Sequence, residues 1–342
     1  MRWSIERRTD TSRQRLAVAT AVGLMAAALA LLIHRLAPGK LPDIGILLEV
    51  SRGYLHGHNP YDVMGPGKAV EFPELMAYPF TEVLLLAPFA VLPNPVAETL
   101  VVALTCGLWS WALLGSRHYR VGLIGGLSLA ALFVTGEGQW SPLLIAAALT
   151  PSLGWLLAIK PTIGLALFSA FPSWKTLVGG AAFVFVALVL YPLWPFEWYR
   201  TTRTVHHLVA IVTRPGGFLV LLALVRWKEP TARLLVALSC IPHTTLPYET
   251  LYLFLIPQTT GRAWVLCFLS YLAPILVGPV NSMTVEYVQR YADAILWTAY
   301  IPCAAMLLFP PKPAGTPPLT SPIELSNVLK INTLLRISRH QT

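Results

Sequence analysis

Six of the sixteen acidic residues in this 342-residue chain fall between positions 43 and 82: Asp43, Glu49, Asp62, Glu71, Glu74 and Glu82. Chemistry that needs a carboxylate is most easily housed there. Asp43 follows Pro42 and leads into a helical pattern, with Ile44, Leu47, Leu48, Ser51, Tyr54 and Leu55 on one face and Glu49, Arg52 and His56 opposite. Such a helix is expected to rest in the membrane interface, apolar face down, with Asp43 at its N-cap. A carboxylate fixed in this way has two readings. It caps the helix by accepting backbone N–H bonds, or it takes the proton of a hydroxyl as a general base.

Other polar groups stand at breaks in apolar sequence. His56 and His58 form an HxH pair with no third ligand nearby, so no metal site is expected. Asn59-Pro60-Tyr61-Asp62 reads as a turn in which Asx side chains bond their own backbone. Lys160 follows the run LLIAAALTPSLGWLLAI, where a lysine either snorkels to the interface or holds an anion. His243 lies in the polar break IPHTTLPYE, and irregular backbone at membrane depth is tolerated where it lines a cavity or is buried in protein. Glu137-Gly138-Gln139 is a similar break. Glu197, Tyr199, Arg200 and Arg203 follow a span end and suit an interfacial belt or a second substrate-facing loop.

The elements that must position these groups are membrane helices. The chain is 55% hydrophobic and 12% charged, against about 25% charged in a soluble globular protein. Apolar blocks at 16–37, 78–93, 97–115, 175–195, 262–280 and 292–309 are long enough, or nearly so, for a bilayer that needs about 20 residues per helix. Interrupted apolar stretches lie at 121–135, 139–171, 214–226 and 231–258. The fold class expected is an all-α integral membrane protein, a polytopic bundle of roughly ten spans with a large first non-cytoplasmic loop carrying short interfacial helices. The division expected is a basic cytoplasmic tail at 1–15, a membrane domain at 16–309 with its first loop at 38–77, and a Pro-rich linker and basic cytoplasmic tail at 310–342.

The formal charge of +9 sits largely on the tails. Arg2, Arg7, Arg8, Arg13 and Arg15 precede the first span; Lys312, Lys330, Arg336 and Arg339 follow the last. That pattern marks the cytoplasmic side of a membrane rather than a nucleic-acid surface. Simple counting meets one conflict: the basic turn Ser116-Arg117-His118-Tyr119-Arg120 falls outside if 78–93 and 97–115 each cross once. Either one of these segments is re-entrant or the charge rule fails there. Cys106, Cys240, Cys267 and Cys303 all lie in apolar stretches without ligand spacing, so neither a disulfide framework nor a metal is inferred. The first apolar segment reads as a retained span rather than a cleaved signal.

Several segments, in order over about residues 40–250, resemble glycosyltransferase family 87 of the GT-C superfamily, which uses polyprenyl-phosphate sugars. His56-Gly57-His58-Asn59-Pro60-Tyr61-Asp62 is similar to its "G-x-NPYD" loop, and Tyr78-Pro79-Phe80 through Ala87-Pro88-Phe89-Ala90-Val91-Leu92-Pro93 to its "YPP…APLALLP" span. Gly138-Gln139 resembles its "GQ" segment, Ala158-Ile159-Lys160-Pro161 its "LKPQ", and Pro242-His243 with Tyr248 its later "SP-x-S-W" break. Phe80 replaces the second Pro of "YPP", Thr162 replaces the Gln of "KPQ", and the late Trp is missing.

The resemblance implies a mannosyltransferase-like enzyme that moves a hexose with inversion from a polyprenyl-phosphate donor to a hydroxyl of a lipid or glycan acceptor. The reaction would occur on the non-cytoplasmic side of the cell membrane, without a cofactor. It implies Asp43 as the base, and His58, Asn59, Tyr61, Asp62 and Tyr78 as the substrate loop. Phosphate is a good leaving group whose charge needs cations, and Lys160, then His243, then Arg52 are the candidates. The alternative is a polytopic transporter or lipid flippase without covalent chemistry. That class usually shows inverted repeats and paired charges within spans, neither of which the sequence displays.

Overall fold

The computed structural model describes residues 12–36, 42–116, 119–205, 208–278 and 284–311, and the statements below concern these residues. Arg117 and His118, the tail before residue 12, and Lys312 with the basic C-terminal segment lie outside them. The chain divides into two units, Met1–Phe309 and Pro310–Thr342, of which the first carries the described structure. It is 76% helical, and its strands are two ladders of two residues per strand, which makes it an all-α protein.

Four helices are long and apolar enough to cross a membrane: Ser12–Leu36 (α1), Asn94–Leu114, Thr260–Val277 and Val285–Leu308. Two bent pairs, Tyr119–Leu127 with Leu129–Glu137 and Trp174–Leu190 with Trp194–Thr202, raise the number to six if each is one span. The remaining apolar sequence forms shorter pieces. α1 shows why the long helices suit lipid: Leu24 and Met25 are exposed, and only its small residues Ala19, Gly23, Ala27 and Ala30 are buried.

Those small residues recur every three or four positions, the spacing that lets two membrane helices approach closely. They pack on Asn94–Leu114, where a Cβ on Gly23 would meet the Ala103 carbonyl oxygen at 2.5 Å. At the other end of the pair the Arg15 guanidinium donates to the Trp111 carbonyl at 2.6 Å and lies 4.0 Å over the Trp111 ring. The start of α1 and the end of its partner are thus at the same end.

Among the described residues, the segment between them holds no helix long enough to cross a membrane. After α2 (Asp43–Leu55) and the one-turn α3 (Pro60–Val63), the apolar run expected over 78–93 yields only α4, Phe80–Leu86, and then turns. Seven residues rise about 10 Å, a third of a hydrocarbon core. With α4 short, Asn94–Leu114 (α5) runs back along α1, and its end, at Gly115, lies against Arg15 near the start of α1.

α2 departs from the expected interfacial helix. Ile44, Leu47 and Leu48 join the main core, while Ile46 and Val50 join a second cluster with Tyr61, Met76, Phe80, Val83, Ala187 and Trp194. The helix is wedged between two packed faces rather than laid on a membrane surface.

The apolar stretch 139–171 is also broken. After α6 (Tyr119–Ile124) and α7 (Leu129–Glu137), it forms α8 (Ser141–Leu149), a 3₁₀ segment (Pro151–Ile159) and α9 (Pro161–Ala170). Both breaks precede a proline, which lacks an N–H and pushes the residue before it out of the helical region. Thr150 and Lys160 have φ of −125° and −126° with positive ψ. Another 3₁₀ segment, Pro247–Leu255, is buried at every position. These interrupted pieces form the protein's interior, and their breaks carry its polar groups.

Candidate functional site

Asp43 occupies the first turn of α2. The N-cap is Pro42, so the capping role expected for Asp43 falls to a residue with no side-chain cap bond. The Asp43 carboxylate instead accepts a hydrogen bond from the Gln139 side-chain amide. Gln139 is placed by Gly138, which ends α7 in the left-handed region at φ +67°. A Cβ at Gly138 would also run into Ile44 Cγ2 at 2.3 Å, so glycine is required both by the turn and by the approach of α2. Trp140, the next residue, donates its indole N–H to Glu82 Oε2 at 2.6 Å. One turn therefore holds two carboxylates, Asp43 through Gln139 and Glu82 through Trp140.

Lys160 stands at the break between the first 3₁₀ segment and α9. Thr81 on α4 donates to the Ala158 carbonyl at 2.9 Å and fastens this break to the helix carrying Glu82. The Lys160 ammonium lies 2.6 Å from Glu249 Oε1 and 5.6 Å from the Tyr248 ring centroid. It does not snorkel away: Glu82 and Asp43 are also within its electrostatic reach. Asp43 likewise reaches Tyr78, Tyr248 and Glu82.

His243 is buried and pairs with residue 209 in a short antiparallel ladder. Its Nδ1 lies 2.7 Å from the Ile241 carbonyl. A carbonyl only accepts, so Nδ1 carries the hydrogen and Nε2 of the neutral ring is an acceptor. Nε2 is buried without a protein hydrogen-bond partner, and Glu249 and Lys160 are its charged neighbours. The structure thus gathers Asp43, Lys160, His243 and Tyr78 into one polar region.

Arg52 is placed elsewhere. Nine residues along a helix is about 13 Å of rise and half a turn of rotation, which sets it on the face of α2 opposite Asp43. Its guanidinium pairs with Glu49 at 2.7 Å and donates to the Ala90 and Leu92 carbonyls, each at 3.0 Å, and to Asn94 Oδ1 at 2.8 Å. It secures the turn between α4 and α5.

The substrate loop expected at 58–62 is a latch. Asn59 caps α3, accepting from the Tyr61 N–H at 2.9 Å and donating to Asp62 Oδ2 at 3.1 Å. Tyr61 donates to the Tyr78 carbonyl at 3.3 Å, and its ring stacks on Tyr191. His58 and Asp62 are exposed. With α10 (Trp174–Leu190) leading into α11 (Trp194–Thr202), Glu197 takes a bond from Asn59 at 3.3 Å and from the Tyr191 hydroxyl at 2.7 Å. Trp198 donates to the Ala77 carbonyl at 2.9 Å. The loop expected around Glu197, Arg200 and Arg203 therefore shares a face with the first loop. Among the described residues, no group of three or more His, Cys, Asp and Glu is arranged to hold a metal.

Sequence reasoning did not single out Glu82, Trp140 or Glu249 as site residues. Glu82 is fully buried, on a helix too short to span. Burial pushes its carboxyl well above the usual range, with Asp43 and Glu249 adding to the rise, against the opposing pull of Lys160 and the Trp140 indole. The signal available in the sequence was an acid inside an apolar run: FTEVLLL for Glu82 and PYETLYLFL for Glu249. No family model matches the chain, and no curated protein or solved structure is significantly similar to it.

Proposed function

We propose that the chain is a membrane glycosyltransferase that moves a hexose, mannose by its motif resemblance, from a polyprenyl-phosphate donor to a hydroxyl acceptor with inversion. The observation carrying this reading is Asp43. It is partly buried, it is oriented by Gln139, and it lies within electrostatic reach of Lys160. Glu82 and Glu249 are more deeply buried and bonded to Trp140 and Lys160. Asp43 is taken as the carboxylate that meets an incoming hydroxyl.

In the reaction, Asp43 takes the acceptor proton as the acceptor oxygen bonds to the anomeric carbon. The bond from that carbon to the phosphate oxygen breaks on the opposite face, and the phosphate leaves with the electron pair. Lys160, within electrostatic reach of the base, is the first candidate to face the phosphate, and His243 is the second. Arg52, bound to Glu49 and Asn94, has no part in this scheme. The donor's lipid tail would lie between helices. A GT-C-like bundle of about ten spans would count the shorter apolar helices Pro161–Ala170, Gly217–Arg226 and Pro230–Cys240 as membrane-embedded. The site would face the non-cytoplasmic side of the cell membrane, with both termini cytoplasmic.

One observation favours a second reading. A buried lysine–glutamate pair at broken helices is a feature of transporters and flippases, and the 2.6 Å Lys160–Glu249 contact provides one. Membranes containing the protein and radiolabelled polyprenyl-phosphate mannose separate the two. Transfer into an acceptor, lost by about 10²–10⁴-fold in Asp43→Asn at equal expression, supports the enzyme. Substrate accumulation in vesicles with no covalent product, unaffected by Asp43→Asn, sinks it.

A further inference from the structure

Two buried carboxylates share one ammonium in the interior. Glu82 is fully buried and Glu249 is 3% exposed; Glu249 contacts Lys160, and Glu82 lies within its electrostatic reach. With all three ionised the group carries a net −1 among apolar side chains. An uncompensated interior charge costs several kcal/mol even after relaxation, which a carboxylate escapes by binding a proton.

The hydrogen bonds indicate which carboxylate takes it. Glu249 Oε1 receives the ammonium directly at 2.6 Å. Glu82 receives only the neutral indole N–H, through Oε2, and its Oε1 is buried with no partner. Further buried atoms without partners lie around the pair, among them Glu249 Oε2 and the Tyr252 hydroxyl. His243 Nε2 is a lone acceptor beside Glu249, and the Tyr300 hydroxyl lies within electrostatic reach of Glu249. Tyr300 is presented by a π-helical turn, Leu296–Tyr300, in the last long helix, a distortion that recurs at functional positions.

We propose that Glu82 is a proton-binding site: its carboxyl is held protonated on Oε1 in the resting protein, while Glu249 keeps the Lys160 ion pair. The ligand is a hydron, which needs no cavity. The groups facing Glu82 are Asp43 from α2, Tyr61 from α3, Tyr78 at the head of α4, Lys160 from the break before α9, and Glu249 and Tyr252 from the Pro247–Leu255 segment. From α10, the neighbouring Tyr191 faces the Phe80 and Tyr61 rings instead. Lys160 is the cation among the groups named, and Glu249 already occupies it. The inference does not depend on the transferase reading, because the same burial and charge apply to a transporter.

Infrared spectroscopy of the full-length protein in lipid nanodiscs, with ¹³C-carboxyl glutamate, tests it. Subtracting the Glu82→Gln spectrum from the wild type at neutral pH is expected to leave a protonated carboxyl band that shifts in D₂O. The subtraction cancels the other buried acids, Glu249 and Glu98, the latter paired with His34 at 3.3 Å. In Glu249→Gln, Glu82 inherits the ammonium, and the midpoint at which the band disappears should fall by about one to three pH units. A difference spectrum with no such band overturns the proposal. So does a midpoint unmoved in Glu249→Gln, a variant that keeps Glu82 and decides the matter even if Glu82→Gln fails to assemble.

Discussion

The Asn59 latch and the Lys160 cluster are both polar islands in an apolar chain. They differ in how their polar atoms are satisfied. In the latch, Asn59 bonds the Tyr61 N–H, Asp62 and Glu197, and Tyr191 bonds Glu197. The donors and acceptors close on one another or face solvent. In the cluster, Glu82 Oε1, Glu249 Oε2 and His243 Nε2 are buried without partners. A closed polar network is a structural part, which orders a loop at modest net energy. An interior network left open holds free energy that only a ligand, a proton or a reacting group recovers.

The largest effect expected from this contrast is at Lys160. Lys160→Met leaves two buried carboxylates with no ammonium, and removing one partner of a buried pair costs about 3–5 kcal/mol. Thermal unfolding in detergent should show a large drop, and Lys160→Met with Glu249→Gln should recover much of it. A Lys160→Met protein as stable as wild type would mean that the pair is solvated and the cluster no different from the latch.

Glu82 gives the next effect, and its sign follows from the upward shift. A carboxyl raised in the folded state contributes stability that is fully present below the ordinary glutamate range. It is lost as pH rises toward the raised value. Wild-type stability should therefore decline from acidic toward mildly alkaline pH, by at most about 1.4 kcal/mol per pH unit for one proton. Glu82→Gln should flatten that slope. An identical slope in the two proteins would place the proton elsewhere.

The two regions also differ in how far the sequence disclosed them. The latch was legible because its cause is local: an Asx residue before Pro caps the turn that follows, and NPYD states this within four residues. α2 was legible in extent, because its apolar period is clear from Ile44 to Leu55. Its environment was not, since a wheel with one apolar face does not show that Ile46 and Val50 meet Phe80 and Trp194 from the other side. The breaks at Thr150 and Lys160 were marked by the prolines after them. Their consequence, short pieces instead of a span, depends on packing across the bundle. Lys160 and His243 stood out as lone polar residues. Their partners could not, because Glu249 lies 89 residues from Lys160 and Gln139 lies 96 from Asp43. The rejection of Arg52 needed only helix geometry: positions nine apart point in opposite directions.

The smallest effect is the one that tests the latch itself. Asn59→Ala removes the cap of α3 and the bridge to Glu197, while Tyr61 keeps its stacking on Tyr191 and its bond to the Tyr78 carbonyl. Loss of an Asn cap costs about 1 kcal/mol. Under the proposed transferase reading, a structural latch predicts a slightly lower unfolding midpoint and a transfer rate within a few-fold of wild type, because Asp43 and Gln139 stay in place. A substrate-reading loop predicts a rate that falls with an unchanged midpoint. If Asn59→Ala abolishes transfer as completely as Asp43→Asn, the side chain contacts substrate directly, and partner satisfaction is no guide to chemistry in this fold. If transfer survives, the NPYD segment is explained by its own backbone, and the loop is a structural part that leaves the chemistry to the Asp43 side of the protein.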